Sequence, residues 1–291
     1  LTTPPSRCVL PDGRRLAYAV YGARDGRPVF YCHGFPGSRL EARLAEEVAA
    51  ALGIALIAPD RPGFGQSDPL AGRALLDWPA DLAALADHLA IERFHLVGVS
   101  GGGPYALAAA ARLPQRLAGV GLVCALGRLG EAADTEGMAP MAARAVRLYQ
   151  HLPGFADWLY AQVAGPLLGA HPDWIFRVIA GSAPPADREV LAHAVVRERL
   201  LDSFREAFHQ GGEGPAHDLA LYTGAWGFAP AEIRLPVAIW HGEADTTVPV
   251  AMARRHAALI PAAQAHFLPD EGHFSLVVRH MHDILSVLLA P

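Results

Sequence analysis

The run Phe94-His95-Leu96-Val97-Gly98-Val99 is short, almost unbroken in apolar character, and stops at Ser100-Gly101-Gly102-Gly103. An apolar run of this length reads as a strand buried on both faces. The alanine-rich stretch from Gly103 to Leu113 that follows reads as a helix. Ser100 therefore stands on a strand-to-helix turn, inside the pattern Gly98-Val99-Ser100-Gly101-Gly102. A serine held there adopts a strained backbone that pushes Oγ outward, and its near neighbours must be small, which places glycines at 98 and 102.

The same rhythm extends on both sides. An opening hairpin is expected around Arg14 to Gly22. Pro28 to Cys32, Ala55 to Ala58 and Leu117 to Ala125 read as further strands, with helical spacing over Leu40 to Leu52 and Leu75 to Leu89. Late in the chain, Val237 to Trp240 and Ala265 to Leu268 read as strands, and Val250 to Ile260 and Phe274 to Leu289 as helices. Apolar strands separated by helices predict a mostly parallel central sheet covered on both faces, an α/β fold with reactive loops at the carboxyl ends of the strands.

Between Gly127 and Ile233 this alternation stops. Helices broken by Pro and Gly carry many aromatic residues, among them Tyr149, Phe155, Trp158, Tyr160, Trp174, Phe204, Tyr222 and Trp226. The expected organisation is a core domain over 1–126 and 234–291 with a helical cap over 127–233. Most of the cap's rings are expected to be its core and not pocket lining.

A serine hydroxyl needs a base, and the base needs an orienting acid. His273, in Pro269-Asp270-Glu271-Gly272-His273-Phe274, falls between the last strand and the last helix, from where its ring reaches over the strand ends. The acid is expected in His241-Gly242-Glu243-Ala244-Asp245, where Asp245 is preferred over Glu243 because it lies further from the strand and nearer Pro249. His241 is assigned to support of that loop. Acyl transfer also needs donors for an oxyanion. The backbone N–H of Gly101 is one, and that of Phe35, in the turn His33-Gly34-Phe35-Pro36-Gly37, is the other.

The bulk numbers exclude several classes. With 291 residues, 52% hydrophobic and 18% charged, the chain has the balance of a compact enzyme. A net charge of −5 with no basic stripe argues against a nucleic-acid partner. No apolar stretch is long enough for a membrane span. All 24 basic residues are arginine, so lysine Schiff bases, a pyridoxal anchor and a P-loop clamp are out of reach. The 3 cysteines, Cys8, Cys32 and Cys124, fit neither a disulfide framework nor a zinc knuckle. His280 and His282 fall on different helix faces. No metal and no cofactor is expected. Residues 1–11 lack the apolar core of a secretory signal, and the expected location is cytoplasmic.

Taken together, His33-Gly34-Phe35-Pro36-Gly37-Ser38, Asp60-Arg61-Pro62-Gly63-Phe64-Gly65-Gln66-Ser67-Asp68, Gly98-Val99-Ser100-Gly101-Gly102, His241-Gly242-Glu243-Ala244-Asp245 and Glu271-Gly272-His273-Phe274 resemble the α/β-hydrolase superfamily, in order and spacing, from about Pro28 onward. The resemblance implies Ser100 as nucleophile, Asp245 as acid, His273 as base, and the Phe35 and Gly101 amides as the oxyanion hole. Haloalkane dehalogenases and epoxide hydrolases of that superfamily carry aspartate at the elbow, so Ser100 points away from both. The elbow also differs from the Gly-Gly-Ser-Trp-Gly of proline iminopeptidases. The expected function is hydrolysis of carboxylic esters of small, fairly apolar substrates through an acyl-enzyme. A carbon–carbon bond hydrolase or small peptidase with the same triad stays open, as does a hydrolase-fold receptor for a small molecule.

Overall fold

The computed structural model describes residues 5–290. Residues 1–4 and 291 lie outside it, and with them part of the N-terminal reading and the outer bounds of the expected core domain. The eight strands are β1 (Ser6–Val9), β2 (Arg15–Gly22), β3 (Arg27–Cys32), β4 (Ile54–Pro59), β5 (Phe94–Val99), β6 (Leu117–Val123), β7 (Val237–Gly242) and β8 (Ala263–Leu268). They form one sheet in the order β1-β2-β4-β3-β5-β6-β7-β8. β1 and β2 pair as an antiparallel hairpin, and β2 joins β4 antiparallel; the stretch Arg14 to Gly22, expected to hold the whole hairpin, is its second strand alone, because Ser6–Val9 supplies the partner. From β4 through β8 every pairing is parallel. The central strands β3 and β5 thus lie side by side, and the loops after them meet.

Alternation along the strands sends side chains to two cores. Phe30, Phe94 and Leu96 face one layer, against helices α2 (Trp78–His88) and α3 (Gly103–Arg112). Val29, Tyr31, Val97 and Val99 face the other, which holds Leu276, Ile284 and Leu285 of the closing helix (His273–Leu288). Such residues are almost wholly buried, each burial worth about 1.5–3 kcal/mol. Among the described residues no helix is long and apolar enough to cross a membrane.

The elements described between β6 and β7 are helical. The regular ones are α4 (Pro140–His151), α5 (Pro153–Leu159), α6 (Gly165–Ala170), α7 (Pro172–Ser182), α8 (Pro185–Ala192), α9 (Ala194–Ala207) and α10 (Glu213–Thr223). Ile175, Phe176, Leu191, Leu200, Phe204 and Phe208 share a core there with Phe64. After β7 come α11 (Val250–Leu259) and, after β8, α12 (His273–Leu288).

Two local readings change. The stretch expected as one helix over Leu40 to Leu52 begins as a 3₁₀ helix, Arg39–Ala45, before α1 (Glu46–Ala51); the Ser38 hydroxyl caps its start, and the side chains of Arg39 and Glu41 turn inward to buried partners. His273 is the first residue of α12 and not a loop residue. The helix starts there because its first amides are met by side chains: Ser275 Oγ accepts from Gly272 N–H, and Asp187 accepts from the next three residues.

Candidate active site

Ser100 has φ +52°, a left-handed backbone that a non-glycine residue rarely adopts. The turn is enforced by packing. A Cβ on Gly98 would lie 2.7 Å from that of Ala106, and one on Gly102 would lie 2.1 Å from the Cys32 carbonyl oxygen. Only glycine lets β5, α3 and the loop after β3 approach this closely. Ser100 Oγ makes no hydrogen bond among the described residues.

His273 Nδ1 donates to Asp245 Oδ2 at 2.7 Å, which leaves Nε2 as the outward nitrogen. Asp245 Oδ1 in turn accepts from the amides of Thr247 and Val248, each at 2.8 Å. Both residues are buried, His273 at 5% and Asp245 at 5% exposure. Burial alone would push the imidazole pKa down. The Asp245 charge and hydrogen bond, with the nearby carboxylates of Asp187 and Glu41, outweigh it and hold His273 above the ordinary histidine value. Burial likewise works to raise the Asp245 carboxyl, and the facing His273 overcomes it and holds it below the usual range. Glu243, the rival acid, is instead paired at the surface with Arg254. His241 is buried, with Nε2 2.8 Å from the Val248 carbonyl oxygen, in the loop that carries Asp245.

Phe35 and Gly101 come together at the mouth of β3 and β5, where a Cβ on Gly101 would sit 2.7 Å from Phe35 Cβ. The Tyr222 hydroxyl is 2.9 Å from the Gly101 carbonyl oxygen and 2.9 Å from Asp218 Oδ2. Asp218 is fully buried between Arg61 and Arg73, with Tyr105 donating to Oδ1 at 2.5 Å. Burial opposes its charge, but the two guanidinium groups hold its pKa down at about 2. Arg61 also donates to the carbonyl oxygens of His33 and Gly34, the latter at 2.9 Å. The loop bearing Phe35 is thus tied through buried charge to α10.

Besides the Asp218 cluster, three further features of the site were not read from the sequence. Asp187, on α8, accepts from the backbone amides of His273, Phe274 and Ser275 at 2.9, 2.9 and 2.8 Å. Glu41 Oε1 accepts from Gly34 N–H at 2.8 Å and from the Tyr31 hydroxyl at 3.0 Å. Cys124 Sγ lies with the Asp245 carboxylate and the His273 ring within 4.8 Å, and burial first, then Asp245, keeps the thiol protonated. That trio is already a closed histidine–carboxylate pair backed by a neutral thiol, a poor donor set for a metal.

Two cavities open on Ser100. The larger, about 620 Å³, is lined by Phe35, Gly101, Leu129, Tyr160, Ile179 and Tyr222 among others. The smaller, about 60 Å³, lies on the side of His273 and is walled by Tyr31, Glu41, Leu200, Phe204 and Phe274. Of the aromatic rings of this stretch, Tyr149, Phe176, Phe208 and Trp226 pack in core clusters, while a minority line the cavities, Tyr160, Trp174 and Tyr222 the larger and Phe204 the smaller. They line it because α7, α9 and α10 lie directly over the strand ends.

A family model described as the alpha/beta hydrolase fold matches residues 27–279. The chain is similar, at 31% identity over 90% of its length, to the dihydrolipoyllysine-residue acetyltransferase component of the acetoin cleaving system of Pseudomonas putida, and spans 62% of that protein's length. An uncharacterized hydrolase of Bacillus subtilis, YcgS, is 26% identical, covering 96% of this chain and 95% of that one. Among solved structures, a thermophilic esterase from Thermogutta terrifontis superposes with a TM-score of 0.68 at 24% identity, covering 98% of this chain and 97% of the esterase. At that identity the likeness is one of fold.

Proposed function

The chain belongs to the alpha/beta hydrolase fold family, and from that premise we propose that it is a serine hydrolase of carboxylic esters, with Ser100 as nucleophile, His273 as general base and Asp245 as its orienting acid. The observation that carries this reading is convergence. A strained Ser100 after β5 and His273 at the start of α12, the latter hydrogen-bonded to Asp245 after β7, line one cavity wall.

The steps follow from the geometry. His273 Nε2 takes the Ser100 proton as Oγ attacks the ester carbonyl, and Asp245 stabilises the imidazolium that forms. The oxygen that becomes negative is received by the amides of Phe35 and Gly101. His273 then gives its proton to the leaving alcohol, and water hydrolyses the acyl-enzyme by the same route in reverse. The wide apolar cavity favours an apolar acyl group of small-molecule size. In this reading residues 127–233 are a cap over a core of 1–126 and 234–291, and the cap sets the substrate.

A panel of ethyl esters of rising acyl chain length, followed by release of the acid, tests the proposal. Wild type should turn over medium-chain esters, and Ser100→Ala should lose on the order of 10³-fold or more in kcat. Undiminished turnover by Ser100→Ala, or no turnover of any ester by wild type, rejects it.

A further inference from the structure

We infer that the small cavity beside His273 is a leaving-group site which selects short alcohols bearing a second hydroxyl, read by Glu41. The inference rests on the serine-hydrolase reading and adds the substrate class to it.

Sidedness comes first. The leaving oxygen must receive its proton from His273, so the alcohol has to occupy the cavity that His273 walls, and that is the smaller one. The oxyanion must point at the Phe35 and Gly101 amides between the two cavities, and with the alcohol in the smaller one the acyl chain takes the larger. Size comes next. With about 10–15 Å³ taken up by each water-sized probe, a cavity of about 60 Å³ holds only a few non-hydrogen atoms.

Polarity decides the rest. Leu44, Val196, Leu200, Phe204 and Val278 make an apolar wall, and Glu41 is the acid set into it. Glu41 is 7% exposed. Its Oε1 is satisfied by Gly34 and Tyr31, but Oε2 has no hydrogen-bond partner among the described residues. This oxygen is not among the sealed, unpartnered polar atoms of the interior, so it is open to the cavity that Glu41 lines and free to accept from a ligand donor. Oε2 also stands close to the reaction: a Cβ on Gly34 would lie 3.0 Å from it and 3.4 Å from Ser100 Cβ. Both atoms thus border one point beside Gly34, and the inference puts the terminal hydroxyl of a two-carbon alcohol on Oε2. The chemistry balances as ordinary acyl transfer: the Oγ–acyl bond forms, the acyl–alkoxy bond breaks, and the His273 proton goes to the departing oxygen.

The competing role for Glu41 is a brace for the Gly34–Gly37 loop, and selectivity separates the two. Octanoate esters of ethylene glycol (mono-ester) and of 1-propanol match in heavy atoms and differ in one hydroxyl. Wild type should favour the glycol ester in kcat/KM by about tenfold or more. Glu41→Gln keeps an acceptor for Gly34 and Tyr31 but puts an amide where the free carboxylate oxygen stood. It should cut the glycol ester about fivefold or more beyond its effect on the propyl ester, because a charge-assisted bond is replaced by a neutral one. Equal loss on both esters means Glu41 is only a brace, and overturns the inference. Equal or reversed preference in wild type overturns it too, and that measurement stands even where the variant does not fold. Cleavage of neither ester by wild type removes the hydrolase reading itself, a result distinct from equal cleavage of both.

Discussion

Asp187 Oδ2 accepts the backbone amide of His273 at 2.9 Å, so a carboxylate from α8 holds the residue that carries the imidazole. Its Oδ1 takes the next two amides of α12, and the side chain is 1% exposed. An acid at a helix N-terminus satisfies orphan N–H groups and the positive end of the dipole together. Here the acid comes from the helical segment between β6 and β7. The helical segment between β6 and β7 is thereby tied by three hydrogen bonds to the start of α12, where His273 sits.

Asp187→Asn should remove the charge and one good acceptor while preserving shape. Because the Asp187 carboxylate helps to raise the His273 pKa, the acid limb of the kcat/KM profile should move to lower pH in the variant. Activity at the plateau should fall on the order of tenfold, as the ring loses its fixed orientation. A pH–rate profile of both proteins checks this; an unmoved limb would make Asp187 a structural cap alone.

In the wild type the sign follows from the proposed role of His273 as the base. It must be neutral to work, so activity declines as pH falls through its folded-state pKa. That value lies above the ordinary histidine figure, since Asp245 outweighs burial. The acid limb should accordingly appear above pH ~6.5, measured as kcat/KM against an ester without titratable groups.

Asp245→Asn and Glu243→Gln should diverge sharply. The first breaks the 2.7 Å bond to His273 and costs on the order of 10³–10⁴-fold in kcat. The second loses only a surface pairing with Arg254 and should stay within about twofold. Comparable losses in the two would move the acid's role away from Asp245.

Asp218→Asn should destabilise the fold, since it leaves Arg61 and Arg73 buried without their counter-charge. Removing one partner of such a cluster costs about 3–5 kcal/mol, read as a drop in Tm of roughly 2–4 °C per kcal/mol. The carboxylate's folded pKa, about 2, lies below its unfolded value, so its contribution is present above the ordinary carboxylate range and is lost as pH falls toward 2. The mutant's deficit in thermal stability should therefore shrink in strong acid.

The sheet and the elbow were legible because their signals are local. β5 was read to the residue from its apolar run, and Ser100 from small residues that steric packing demands at fixed offsets. The Asp245 carboxylate was legible from its place after β7. Asp187, Asp218 and Glu41 were not, because each acts through partners brought in by tertiary structure: Asp187 lies 86 positions before His273, and Asp218 lies 157 after Arg61. No periodicity marks such residues. Arg61 did sit in a quoted stretch, Asp60 to Asp68, but a glycine-rich turn hides the single arginine that anchors it. The rings of the 127–233 stretch share this limit, since the same aromatic serves as core or as lining according to how α7, α9 and α10 settle over the strands.

Whether Ser100 is the nucleophile of an acyl-transfer site is read out by a fluorophosphonate probe followed by peptide mass mapping. A single phosphonyl adduct on Ser100 is expected, abolished in Ser100→Ala and slowed on the order of 10³-fold in His273→Ala. An adduct on another residue, or ester hydrolysis that continues with Ser100 unlabelled by excess probe, would contradict that role.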